Sequence, residues 1–130
     1  MATNELDFID SAVNSLHLAR RIRMVCESQI FKDTIIWCSN GAITAHKIIL
    51  AAGSEECFRQ LSNKNNEGGV VILTDMTMEK VWPLVEFMYT GKISMQEGQE
   101  REIEYVGEKL GVFGIKYYLG VRTNQRQMKR

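Results

Sequence analysis

Proline is nearly absent from this chain and histidine is scarce: one proline and two histidines in 130 residues. A proline-rich spacer is thereby excluded, and histidine catalysis has only His17 and His46 to draw on. Cysteine is limited to Cys26, Cys38 and Cys57, an odd count without short paired spacing. These three read as buried thiols of an intracellular protein, not as a disulfide framework. Neither histidine has a cysteine at finger-like spacing, so no metal or other cofactor is expected within the chain. No run approaches the length of apolar sequence that a membrane helix needs, and the acidic opening MATNELDFID lacks a secretory signal pattern. Net charge is missing too, with 16 basic residues against 16 acidic. Neutrality gives no general drive toward nucleic acid or anionic lipid, so direct contact with either is not expected. No glycine-rich phosphate loop follows a strand-like run, since GVFG follows a helical one.

What the chain does have is enough apolar sequence, 45%, for one hydrophobic core. Its charge is unevenly placed. The last ten residues, VRTNQRQMKR, carry four basic and no acidic side chains, which leaves the remainder acidic. The organisation expected is a lead over 1–7, a compact domain over 8–120 and a basic tail or start of a linker over 121–130.

Along the domain, residues 8–27 predict a helix with two apolar stripes. Ile9, Ala12, Val13, Leu16 and Ala19 make one stripe; Leu18, Ile22 and Val25 make the other. A helix at the edge of a small domain covers one face, so the second stripe points to a partner surface or an embedded helix. TIIWC at 34–38 and AITA at 42–45 predict an antiparallel hairpin about the turn SNG. HKIILAAG and SEECFRQL predict a helix pair, with Ser54 at a capping position. After the polar loop SNKNNEGG comes VVILT, apolar enough for a strand. Asp75 and Thr77 offer caps to a helix over MEKVWPLVEFMYT, with Pro83 in its early portion and Gly91 ending it. KISM at 92–95 predicts a short strand, 99–111 a helix, and IKYYL at 115–119 a last short helix or turn. The class is α+β, a small sheet flanked by helices.

Four stretches in this order resemble the BTB/POZ domain: FKDTIIWC, AHKIILAAGSEECF, VVILTD and VWPLVEFMYTGKISM. The resemblance runs from about residue 8 to about 119 and implies the BTB/POZ fold with an N-terminal dimerisation helix. It implies a homodimer in which Phe8, Ile9, Ala12, Val13, Leu16 and Ala19 line the contact, with Ile43, Ala45 and Ile48 nearby. In dimeric members, an aspartate before the hairpin and a basic residue after the Ala-His pair face a shared pocket; Asp33 and Lys47 hold those positions. A buried charge needs a partner, so an ordinary ion pair within the domain is the alternative for these two. His46 is implied to be structural, its ring satisfied by backbone groups, and no enzyme is expected. This chain departs from the family at Cys57, often Tyr, at Gly53, often Ser or Cys, and at Trp37, often Leu or Val.

The long first helix, the basic tail and FMYTGKISMQEG resemble the zinc-finger branch of the family. That resemblance implies a nuclear transcription regulator or chromatin-architecture protein, with the domain recruiting co-regulator or chromatin proteins. Zinc would then sit only in fingers downstream. The alternative is a substrate adaptor of a cullin-three ubiquitin ligase, which would use Met95 and Glu97 of MQE as an apolar anchor and a carboxylate. Adaptors carry a helical extension after the domain, which 120–130 does not convincingly begin.

Overall fold

The fold is given by a computed structural model, which describes the backbone over residues 5–128 and the surroundings of side chains over 13–122. Its elements in order are α1 (Glu5–Glu27), β1 (Thr34–Cys38), β2 (Gly41–Ala45), α2 (Lys47–Gly53), α3 (Glu55–Leu61), β3 (Val70–Leu73), α4 (Met78–Thr90), α5 (Glu100–Leu110) and α6 (Ile115–Met128). The chain divides into two compact units, residues 1–31 and 32–130. The first holds α1. The second, the body, holds everything from β1 onward.

The body is built on a mixed three-stranded sheet of order β2-β1-β3. The hairpin β1–β2 is antiparallel, with Ile36 opposite Ile43, and β1 runs parallel to β3, with Ile36 opposite Val71. Alternation decides which side chains are buried. Ile36, Cys38, Ile43, Ala45, Val71 and Leu73 enter the core, while Ile35, Trp37 and Ile72 are exposed on the other face. Trp37 therefore tolerates its bulk because it points outward. Leu50, Val81, Leu84, Val85, Ile103, Val106, Leu110 and Ile115 complete the core from the helices.

The helix ends explain much of the assembly. Ser54, fully buried, accepts from the Cys57 amide at 3.1 Å to start α3 and donates to the Leu110 carbonyl at 2.6 Å. One hydroxyl thus caps one helix and ties it to the end of another. Gly53 has a packing reason. A Cβ there would lie 2.6 Å from Met88 Cγ, so α4 rests directly on this glycine. Cys57 is enclosed in the core, where it bears on packing and not on an exposed groove.

Four expectations change. KISM forms no strand. Ile93 is buried, and its amide donates to the Tyr118 hydroxyl at 3.2 Å while its carbonyl accepts from Arg122 at 3.2 Å. Side chains of α6 supply the partners that a neighbouring strand would have supplied. The short last helix is instead 14 residues long, so the basic stretch from 121 is helical as far as Met128. Pro83 lies past the first turn of α4, where the helix forgoes one backbone bond and still continues to Thr90. Thr77 makes no capping bond; the cap of α4 comes from the hairpin turn, where Asn40 accepts from the Met78 amide at 2.8 Å.

Candidate functional site

The charges at 33 and 47 meet through the backbone. Asp33 precedes β1, and its Oδ1 accepts from the Lys47 amide at 2.7 Å. His46 occupies the cap position of α2 without making a side-chain cap bond. The carboxylate of Asp33, fourteen residues away, performs that role and sits where the exposed amides of a helix start favour negative charge. Among the described residues the two side chains form no ion pair. The half-buried Lys47 side chain instead lies over Gly69. A Cβ on Gly69 would come 2.4 Å from Lys47 Nζ, and the glycine also has φ +61°. Thr34 donates its hydroxyl to the Gly69 carbonyl, which fixes the same loop. Asp33 and Thr34, with Lys32, Ile35, Trp37, Thr44, Gly68 and Val70, border a shallow cavity of about 430 Å³ on the outer side of the sheet.

His46 is 4% exposed. Its amide donates to the Tyr89 hydroxyl at 2.9 Å, and Nδ1 lies 2.6 Å from the same oxygen. At Nδ1 the ring meets a tyrosine hydroxyl. Which of the two donates in the second bond follows the tautomer of the ring. The pair joins the start of α2 to the end of α4. Nothing in it resembles a nucleophile beside a base. The thiols are no better: Cys38 and Cys57 are free, and burial pushes both up from the ordinary thiol value, so neither is a ready thiolate. Among the described residues no group of three or more His, Cys, Asp or Glu side chains could hold a metal ion. Among them, too, no helix is long and apolar enough to cross a membrane.

The residues expected at a dimer contact divide three ways. Phe8, Ile9 and Ala12 lie on α1 outside the described side chains. Val13, Leu16 and Ala19 are exposed along α1, Leu16 at 74%. On the body, Ile43 and Ala45 point into its own core, so their contribution is to position β2, while Ile48 on α2 is 64% exposed. The second stripe, Leu18, Ile22 and Val25, is also exposed, as is Met24. Met95 is half-buried and packs on the core beside Ile93, and Glu97 is exposed in the loop before α5.

Three side chains escaped the sequence reading. Asn40 caps a helix from 38 residues away, and Gln60 and Asn66 bond the backbone of β3. Asn40 sits in a recognisable turn, but its reach to Met78 has no local signal. For Gln60 and Asn66 the only hint is their polarity next to an uncharged apolar strand.

Comparison with known proteins places this geometry. A family model for the BTB/POZ domain matches residues 23–119. Protein abrupt of Drosophila melanogaster is 32% identical over 109 residues, 84% of this chain and 11% of that protein. Zinc finger protein chinmo of the same fly is 30% identical over 102 residues, 78% of this chain and 17% of that protein. Longitudinals lacking protein-like, also from the fly, is 24% identical over 110 residues, 85% of this chain and 84% of that protein. The chain spans about a tenth of the length of the first curated relatives it matches.

Proposed function

Starting from the fact that this chain belongs to the BTB/POZ family, whose domains are non-catalytic protein–protein interaction modules and often homodimerise, we propose that it is the homodimerising domain of a nuclear regulator of transcription or chromatin architecture. The observation that carries the reading is the apolar surface of α1. Val13, Leu16, Leu18, Ile22, Met24 and Val25 are all exposed on one helix. A two-fold contact is self-complementary, so a single stripe repeated in a second copy is enough to build it. In this reading Val13, Leu16 and Ala19, together with Phe8, Ile9 and Ala12, form the seam, and Ile48 of each protomer lies at its side.

The nuclear role is supported by the relative named a zinc finger protein. The body binds co-regulator or chromatin proteins, and DNA contact belongs to other parts of the protein. Asp33 and Lys47 serve this role in different ways: Asp33 sets the start of α2, and Lys47 presents a cation beside the Gly68–Gly69 loop. Lys47→Met is expected to keep the fold and weaken co-regulator capture or assembly. Equal capture and equal mass for the two proteins would remove Lys47 from the site.

One observation favours the adaptor reading. The helix α6 runs to Met128, where a helical extension was not expected. In that reading Met95 and Glu97 face a cullin. A binding measurement between the domain and the amino-terminal part of cullin-three separates the two. No binding at micromolar concentration supports the nuclear regulator, and saturable binding lost in Glu97→Ala supports the adaptor.

A further inference from the structure

The sheet has two edges, and one is the outer side of β3. Residues 69–74, GVVILT, combine high strand propensity with no charge and no proline. Such a segment at a sheet edge is a template for strand addition by another chain. Its outer face adds to the hazard, because Ile72 is 51% exposed and Ile35 and Trp37 are exposed on the same side of the sheet.

In a parallel ladder alternate residues bond the neighbour and the rest face outward. On β3 the outward groups are already occupied. The Ile72 amide donates to Gln60 Oε1 at 2.7 Å, and the Ile72 carbonyl accepts from Gln60 Nε2 at 3.0 Å. Two residues back, the Val70 amide donates to Asn66 Oδ1 at 3.1 Å, and the Val70 carbonyl accepts from Asn66 Nδ2 at 2.8 Å. Each side-chain amide thus presents a donor and an acceptor in the manner of a strand residue. Both are held from behind. Gln60 Nε2 also donates to Glu56 Oε1 at 3.0 Å, and Asn66 Nδ2 also donates to the Gln60 carbonyl at 2.8 Å.

We infer that Gln60 and Asn66 form a side-chain latch that closes the edge of β3 against a strand from a second copy of this chain. The latch does the work of a fourth strand without offering a new edge, because a side-chain amide has no continuing backbone. It directs self-association away from the sheet edge, leaving other surfaces to set the oligomer.

The test compares the wild-type protein with the double variant Gln60→Met, Asn66→Leu, which keeps side-chain size and removes all four bonds to β3. Hydrogen exchange at the Val70 and Ile72 amides is expected to quicken by about tenfold or more while the amides of Val71 and Leu73 change little. On incubation at high micromolar concentration, sedimentation should show the variant growing into larger species that bind thioflavin T, with the wild type constant. Adding Ile72→Lys to the double variant places a charge on the exposed side of the strand and should return the wild-type size. Leu50→Ala controls for lost stability, since it weakens the core and leaves the latch intact. The inference is overturned if exchange at Val70 and Ile72 is unaltered, if the double variant keeps the wild-type size, or if Leu50→Ala assembles as fast as the double variant.

Discussion

The body and α1 use the same apolar residue types and treat them in opposite ways. In the body, Ile36, Leu50, Val71, Val81, Leu84 and Leu110 are enclosed, while Ile35 and Ile72 on the strands and Ile48 on α2 stay exposed. Along α1, Val13, Leu16, Leu18, Ile22 and Val25 all remain exposed. Leaving so many large apolar side chains in water forgoes on the order of 1.5–3 kcal/mol for each that could be fully buried. Exposed apolar clusters of this kind mark places where another protein sits. The difference teaches that the body carries the core, while the apolar face of α1 supports the role in association proposed for it.

That division can be broken most forcefully from the body's side. Leu50 is fully buried where α2 meets the rest of the core, so Leu50→Ala is expected to cost about 2–5 kcal/mol. A denaturant titration reads it as a lower unfolding midpoint, and a loss well under this range would mean that the core is looser than described. Next in size is the blow to α1. Leu16→Asp places a carboxylate in the proposed seam and should weaken self-association by roughly a hundredfold or more, about 3 kcal/mol. Sedimentation across a concentration series measures it. An unchanged association constant would take Leu16 out of the contact.

A smaller effect sharpens the account of the body. Asn40→Ala removes the cap from α4 and the bond to Glu79. The expected cost is about 1 kcal/mol, in line with other caps. A variant as stable as the wild type would show that the Met78 amide finds another partner. The smallest effect is with pH. The Asn40 amide beside Glu79, and Arg59 followed by Gln60 beside Glu56, hold both carboxyls below the ordinary glutamate value. Groups with depressed values add stability above that ordinary value and lose it as pH falls through the folded-state value. The unfolding midpoint should therefore fall as pH drops below the ordinary glutamate value, and less steeply in Asn40→Ala. An equal slope in the two proteins would contradict the role given to Asn40.

The fold was legible where local patterns decide it. The hairpin, β3, α4 and α5 follow from alternation, from three- and four-residue periodicity and from the glycines at 91 and 111. KISM misled because its β-branched isoleucine and flanking turn residues have strand character, while the backbone partners of Ile93 come from Tyr118 and Arg122 on a later helix. The length of α6 was hidden because apolar residues stop near Val121, and a polar helix gives no stripe to count. At the site, the positions of Asp33 and Lys47 could be picked out, but their geometry could not. A carboxylate capping a helix through a backbone amide and one pairing with an ammonium leave the same letters in the sequence. The latch was hidden for a similar reason: in SNKNNEGG the Asn that bonds a strand looks like the Asn residues that do not.

Light scattering on size-separated wild-type protein at micromolar concentration tests the central claim most directly, because it weighs the particle without assuming how it assembles. The account predicts twice the mass of one chain, falling to a single chain in Leu16→Asp. A wild-type mass of one chain throughout the concentration range would contradict it.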